Sequence, residues 1–206
     1  MNRLALLCLF SFLTCRLLLA RAEDKEEIKI YEETKSVVLK MAEDLKKGDQ
    51  KAATKKAQAL VAKLKDPDDV SYLEMLTSRP RPKRKITGLG VLDKPPANYR
   101  SYGIEIELFR LSRRTPDKKL INAHAADLER MAYRVAAISE IQALMPPKRF
   151  RGKKHTKENW LKWSTQAQKD SLELAKAFRA KDVKLIRTTA KKVVSSCNNC
   201  HNAFRI

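Results

Sequence analysis

From Ile121 to Met145, the positions Ile121, His124, Leu128, Met131, Val135, Ile138, Gln142 and Met145 follow one another at alternating steps of three and four residues. That period lays a mostly apolar stripe along one face of a helix, and a stripe this long has to be buried against other helices. The same period recurs elsewhere. Tyr31, Thr34, Val38, Met41 and Leu45 predict a helix over 24–47, stopped by Gly48-Asp49. Asp49 then caps a second helix with the seam Ala53, Ala57, Leu60 and Leu64, closed at Asp66-Pro67, and the two form an antiparallel hairpin. Short helices are expected at 71–78, around Tyr72, Leu73, Met75 and Leu76, and at 104–111. The long helix of the opening seam, over 120–145, is stopped by Pro146-Pro147, and another carries Trp160, Trp163, Ala167, Ser171, Leu174 and Phe178. The last begins at Asp182 and bears Ile186, Ala190, Val193, Cys197, Cys200 and Phe204 at steps of four and three. No segment is β-rich, so the expected fold class is all-α, and 206 residues suit one domain with its own core.

Two connections are basic. Arg79 to Lys85 holds five cations in seven residues, and Gly88, Gly90, Pro95 and Pro96 follow, so 79–102 is expected to be a loop over the bundle. It reads either as a mobile solvated connection or as a docking surface. Its Gly88-Leu89-Gly90 is no phosphate cradle, lacking both the lysine and the strand-to-helix setting. Lys148 to Lys154 is a second basic loop. Lys47-Gly48-Asp49 and Ala180-Lys181-Asp182 each join two amphipathic helices, an echo that common turn chemistry also explains.

The final seam contains Cys197-Asn198-Asn199-Cys200-His201, the C-x-x-C-H run by which a c-type haem is attached. Two thiols add to the two vinyl groups on one porphyrin edge, and the adjoining imidazole binds the iron. On a helix, Cys197 and His201 share a face and Cys200 lies three residues from the first thiol, so all three meet one flat ligand. A redox dithiol, a zinc ligand set and a structural disulfide are the competing readings. A redox C-x-x-C usually opens a helix after a strand. Tetrahedral zinc needs four ligands, and His124 and His155 are the remaining histidines.

Residues 1–22 read as an export signal: Arg3, an apolar stretch from Leu4 to Leu19 interrupted by Arg16, and Ala20-Arg21-Ala22 as the cleavage site. The stretch is short of the ~20 apolar residues that span a membrane. The expected mature chain, 23–206, is one helical domain in the periplasm without a transmembrane segment. Cys8 and Cys15 leave with the leader, so only the motif cysteines remain, as suits an oxidising compartment. The chain has 44 basic and 24 acidic residues; without Arg3, Arg16 and Arg21 the balance is 41 against 24, a formal +17. Such a field speeds encounter with an acidic partner protein, and it also keeps a protein soluble. No nucleic-acid motif accompanies it, so nucleic acid is not an expected partner.

From about Trp160 to Arg205 the chain resembles the class II c-type cytochromes, the cytochrome c-prime family. Trp160, an Ala-rich helix, the Ala180-Lys181-Asp182 turn, a second amphipathic helix and then Cys197, Cys200, His201, Phe204 and Arg205 follow that family's C-terminal helical pair. The resemblance implies a four-helix bundle with haem between the helices and His201 as proximal iron ligand. It also implies Phe204 and Arg205 beside the haem, with Arg205 pairing with a propionate or lining the proximal pocket, and it admits a homodimer. The rest departs from the family: the chain is longer, has five substantial helices and carries the 79–102 insertion. The helices over 120–145 and 24–47 are expected as the other two members of the bundle.

Function then turns on the sixth coordination position. A side chain filling it makes a six-coordinate electron carrier, whereas an open position admits nitric oxide or carbon monoxide. Met41, Met131 and His124 lie on seams and are the candidates, although methionine also serves as core filler. His155, in a Lys-rich loop, is not one. The expectation is an exported single-haem electron-transfer protein, with gas binding as the alternative. No distal His-Arg pair is identifiable by spacing, so enzymatic activity is not expected.

Overall fold

Two turns of the same construction set where the helices begin and end. The computed structural model describes residues 26–64, 70–78, 88–92, 103–147 and 156–204. Seven helices run through them: α1 (26–46), α2 (Gln50–Val61), α3 (Val70–Thr77), α4 (Ile104–Arg113), α5 (Lys118–Leu144), α6 (Lys157–Ala180) and α7 (Val183–Phe204). At the end of α1, Gly48 sits at φ +80°, its N–H donating to Leu45 O (3.0 Å) while Asp49 N–H reaches Asp44 O (2.9 Å). That pair of bonds satisfies carbonyls that a helix end leaves open. Asp49 then accepts from Ala52 N–H (2.9 Å) and so starts α2. Between α6 and α7 the pattern repeats: Lys181 at φ +54°, Lys181 N–H to Phe178 O (3.0 Å), Asp182 N–H to Ala177 O (3.2 Å), and Asp182 capping Leu185 N–H (2.9 Å). The sequence echo is therefore shared turn chemistry, with Lys181 in a conformation that glycine adopts without strain.

The buried apolar side chains form one contiguous cluster drawn from every helix. The expected seam of α1 is fully inside, and Thr34 on it meets its hydrogen-bonding need by donating to Ile30 O (2.8 Å). α2 lies back along α1, tied by the pairs Lys56–Asp44 and Lys63–Glu33. α6 packs most extensively on α5, then on α7; α4 covers another face of α7, while α2 and α3 lean on α5. α5 differs from its one-stripe pattern. Between Leu128 and Ile141 nearly every residue is buried, because Ala132, Ala136 and Ala137 allow close approach on the faces the seam leaves over.

Burying α5 on several sides also buries carboxylates, and each has partners. Glu140 accepts from Gln50 Nε2 (3.1 Å), Thr54 Oγ1 and Gln168 Nε2 (3.0 Å), joining three helices. Glu129 receives Arg179 Nε at 2.9 Å and Nη2 at 2.6 Å, and Nη2 also reaches the Tyr133 hydroxyl at 3.0 Å. Unpaired, such groups cost several kcal/mol. The indole of Trp160 donates to Gln142 O (2.7 Å), one of the last carbonyls of α5, and so clamps the start of α6 to that end.

The segment 88–92 is the main departure from expectation. It is not a mobile solvated connection. Leu89, Val91 and Leu92 are buried in the core, Leu89 N–H donates to Leu76 O (2.8 Å), and Arg134 Nη1 holds Gly90 O (2.8 Å). Gly90 also pairs with Gly103 in an isolated β-bridge. Apolar Leu-Gly-Val-Leu was the signal, and the flanking charge and proline masked it. Residues 1–22, expected as an export signal, Asp66-Pro67 and the basic runs 79–87 and 148–154 lie outside the described residues. No helix among the described residues is long and apolar enough to cross a membrane. The fold is all-α.

Candidate functional site

At one end of the molecule, the C-terminal turns of α5 and α7 meet the N-terminal turns of α4 and α6 without closing on each other. A cavity of about 780 Å³ lies between them, with α3 as a further wall. Its lining is mostly apolar: Leu73 from α3, Ile104 and Leu108 from α4, Val135 and Ile138 from α5, Ala167 from α6. A volume near the upper end of small-molecule sites, with a mainly apolar surface interspersed with polar side chains, is a form that cofactor pockets take.

α7 contributes the chemistry. Val194, Cys197 and His201 follow at steps of three and four, so one stripe of the helix faces the cavity, and Cys200 joins the lining beside His201. Both cysteines are partly buried, they are not joined in a disulfide, and His201 is exposed. Burial pushes the Cys197 thiol up to about 11, with the charges of Glu105 and Asp170 adding to the effect. A redox or nucleophilic cysteine needs the opposite, a lowered pKa that supplies thiolate near neutrality. A thioether sulfur has no proton to lose, so these surroundings carry no such penalty for it. Among the described residues no group of three or more His, Cys, Asp or Glu side chains is placed to hold a metal ion.

Comparison with protein-family models, curated proteins and solved structures gives no match to this chain. The site is therefore read from its own residues.

Behind α7, Asp170 is buried and accepts from Gln166 Nε2 (2.9 Å) and Ser196 Oγ (3.2 Å). Ser196 is itself part of the cavity wall, so this bond fixes the turn of α7 that carries Cys197. From α5 and α6, Gln142, Ser139, Ser164 and Trp163 supply the polar part of the lining, and Glu105 stands at the α4 edge.

Of the residues marked in the sequence, Cys197, Cys200 and His201 are brought together at the cavity. Phe204 ends α7 with its side chain outside the described set, and Arg205 and His155 also lie outside it. Met41, Met131 and His124 do not line the cavity. Met41 and Met131 are fully buried in the core. His124 marks a kink in α5 (φ −127°, ψ 19°), its Nδ1 3.6 Å from Asp127. It precedes Val135 by eleven residues, about 16 Å along a helix. The helix over 24–47 likewise contributes nothing to the lining, which α4 enters instead. Sequence reasoning also missed Met75, which lines the cavity from α3. The available signal was its position off the Leu73–Leu76 stripe.

Proposed function

We propose that this chain is an exported c-type cytochrome: one haem held covalently by Cys197 and Cys200, with His201 as proximal iron ligand, serving electron transfer. The observation that carries the proposal is that the C-x-x-C-H side chains line the wall of an apolar cavity of about 780 Å³. When bound, the haem supplies one-electron redox chemistry. The chain's residues do the rest. Cys197 and Cys200 would hold the group and His201 would bind its iron, with apolar side chains from α3, α4 and α5 lining its pocket. The Ser196–Asp170 bond keeps the attachment turn in place. α4, α5, α6 and α7, whose ends surround the cavity, are the four helices that would correspond to a bundle of the class II cytochrome type. Arg205 is proposed to face a propionate and Phe204 to pack beside the porphyrin.

The basic surface suits an acidic redox partner, and the association rate should fall steeply with salt if charge steers the encounter. The primary test is expression in a host with haem-attachment machinery. We expect one haem per chain that survives denaturation, and Cys200→Ser should leave a single thioether bond or lose the haem. A wild-type chain without covalent haem in such a host overturns the proposal. A reduced protein that takes up carbon monoxide at once, with no competing ligand, favours the gas-binding alternative.

A further inference from the structure

Once Cys197, Cys200 and His201 are assigned to haem, the cavity contains one more soft donor. We infer that the thioether of Met75 is the sixth ligand of the iron, which rests on the haem reading above. Among the described residues, Met75 is the methionine in the cavity lining; Met41, Met131 and Met145 are buried and do not line it.

Three observations support Met75 in this role. First, it comes from a different wall. α7 packs on α4 and α6, whereas α3 rests on α5, so the cavity receives sulfur from α3 and imidazole from α7. Second, its helix is anchored. Leu73 and Leu76 on either side are fully buried, and Met75 O accepts from Ser78 Oγ (2.7 Å) and Ser78 N–H (3.2 Å). Gly88 presses against the same turn, so closely that a Cβ there would stand 1.9 Å from Ser78 O and 3.1 Å from Met75 O. Third, Met75 is 39 % exposed between those two buried leucines, an apolar side chain directed to the cavity instead of the core. A flexible thioether on a fixed backbone suits a ligand that must adjust to the iron. Methionine opposite histidine also raises the reduction potential, as befits an electron carrier.

The test compares the haem-loaded wild type with Met75→Leu, Met41→Leu and Met131→Leu, changes that keep volume and hence the fold. Covalent haem is measured first on denatured protein, then the oxidised and reduced spectra, carbon monoxide binding and midpoint potential. The expected wild-type spectrum is low-spin, with the weak far-red band of methionine sulfur on ferric iron. Met75→Leu should lose that band, fall in potential and bind carbon monoxide about tenfold or more tightly, since the gas no longer competes with a bound side chain. Met41→Leu and Met131→Leu should keep the band. Attached haem with a band that survives in Met75→Leu, with a wild-type spectrum already high-spin, or with an oxygen ligand such as Glu105 in place of sulfur, overturns the Met75 assignment alone. Absence of covalent haem overturns the haem reading and this assignment with it.

Discussion

Replacing Gly88 by alanine tests whether 88–92 is an anchored part of the fold or a loose connection. The added Cβ would sit 1.9 Å from Ser78 O and 2.6 Å from Ser78 C, both backbone atoms that cannot turn aside. Either α3 or the segment has to move. Forcing a carbon into filled space costs about 1–3 kcal/mol. Separation of the two backbones also breaks the Leu89 N–H to Leu76 O bond, worth about 1 kcal/mol. A loss of about 3 kcal/mol is therefore expected, a large part of the ~5–15 kcal/mol that holds an ordinary domain together. For a chain of this size it lowers the melting temperature by roughly 6–12 °C. Urea titration followed by circular dichroism should show the midpoint falling with an unchanged slope. Gly48→Ala is the control: nothing lies within 4 Å of its Cβ site, and only the φ of +80° opposes the change, at about 1 kcal/mol. Equal, small losses at the two glycines would refute the close packing of 88–92 on α3. Because that contact also backs Met75 O, the Gly88 variant should in addition weaken the far-red band in haem-loaded protein.

Two further outcomes follow from the site's surroundings. Trp160→Phe removes the indole bond to Gln142 O but leaves that carbonyl its second donor, Met145 N–H at 3.0 Å, so urea unfolding should show a loss of only about 1–2 kcal/mol. A loss above about 4 kcal/mol would show that the ring does more than clamp α6 to α5. In chain produced without haem, the Cys197 thiol, raised to about 11, favours the folded state fully below its unfolded pKa, and that contribution is lost as pH rises from about 9 to 11. The stability difference from Cys197→Ser should change over that window in chain without haem; a flat difference would contradict the burial of the thiol.

The turns and helices were legible because their causes are local. A glycine or lysine in the left-handed region followed by a capping aspartate ends one helix and begins the next, and both the 48–49 and 181–182 turns do this with the same bonds. The grouping of Cys197, Cys200 and His201 was legible for the same reason, since the three share one helix and line one cavity. What faces that wall was not, because periodicity records how deeply a residue is buried and not against which neighbour. Met131 shares a seam with Val135 and Ile138, yet only the latter two reach the cavity, which occupies the C-terminal end of α5.

Met75 shows the converse. Its two leucine neighbours satisfy the burial pattern of α3 without it, and an apolar residue left over from a satisfied pattern carries no signal of its partner until the walls are assembled. The assembly depends on 88–92, where Leu89, Val91 and Leu92 occupy the core between two stretches that read as solvated loop. This anchor of five residues packs against the turn of α3 that carries Met75. Gly88 and Leu89 hold α3 from one side, the Ser196–Asp170 bond holds α7 from the other, and side chains more than a hundred residues apart in sequence thereby line a common space.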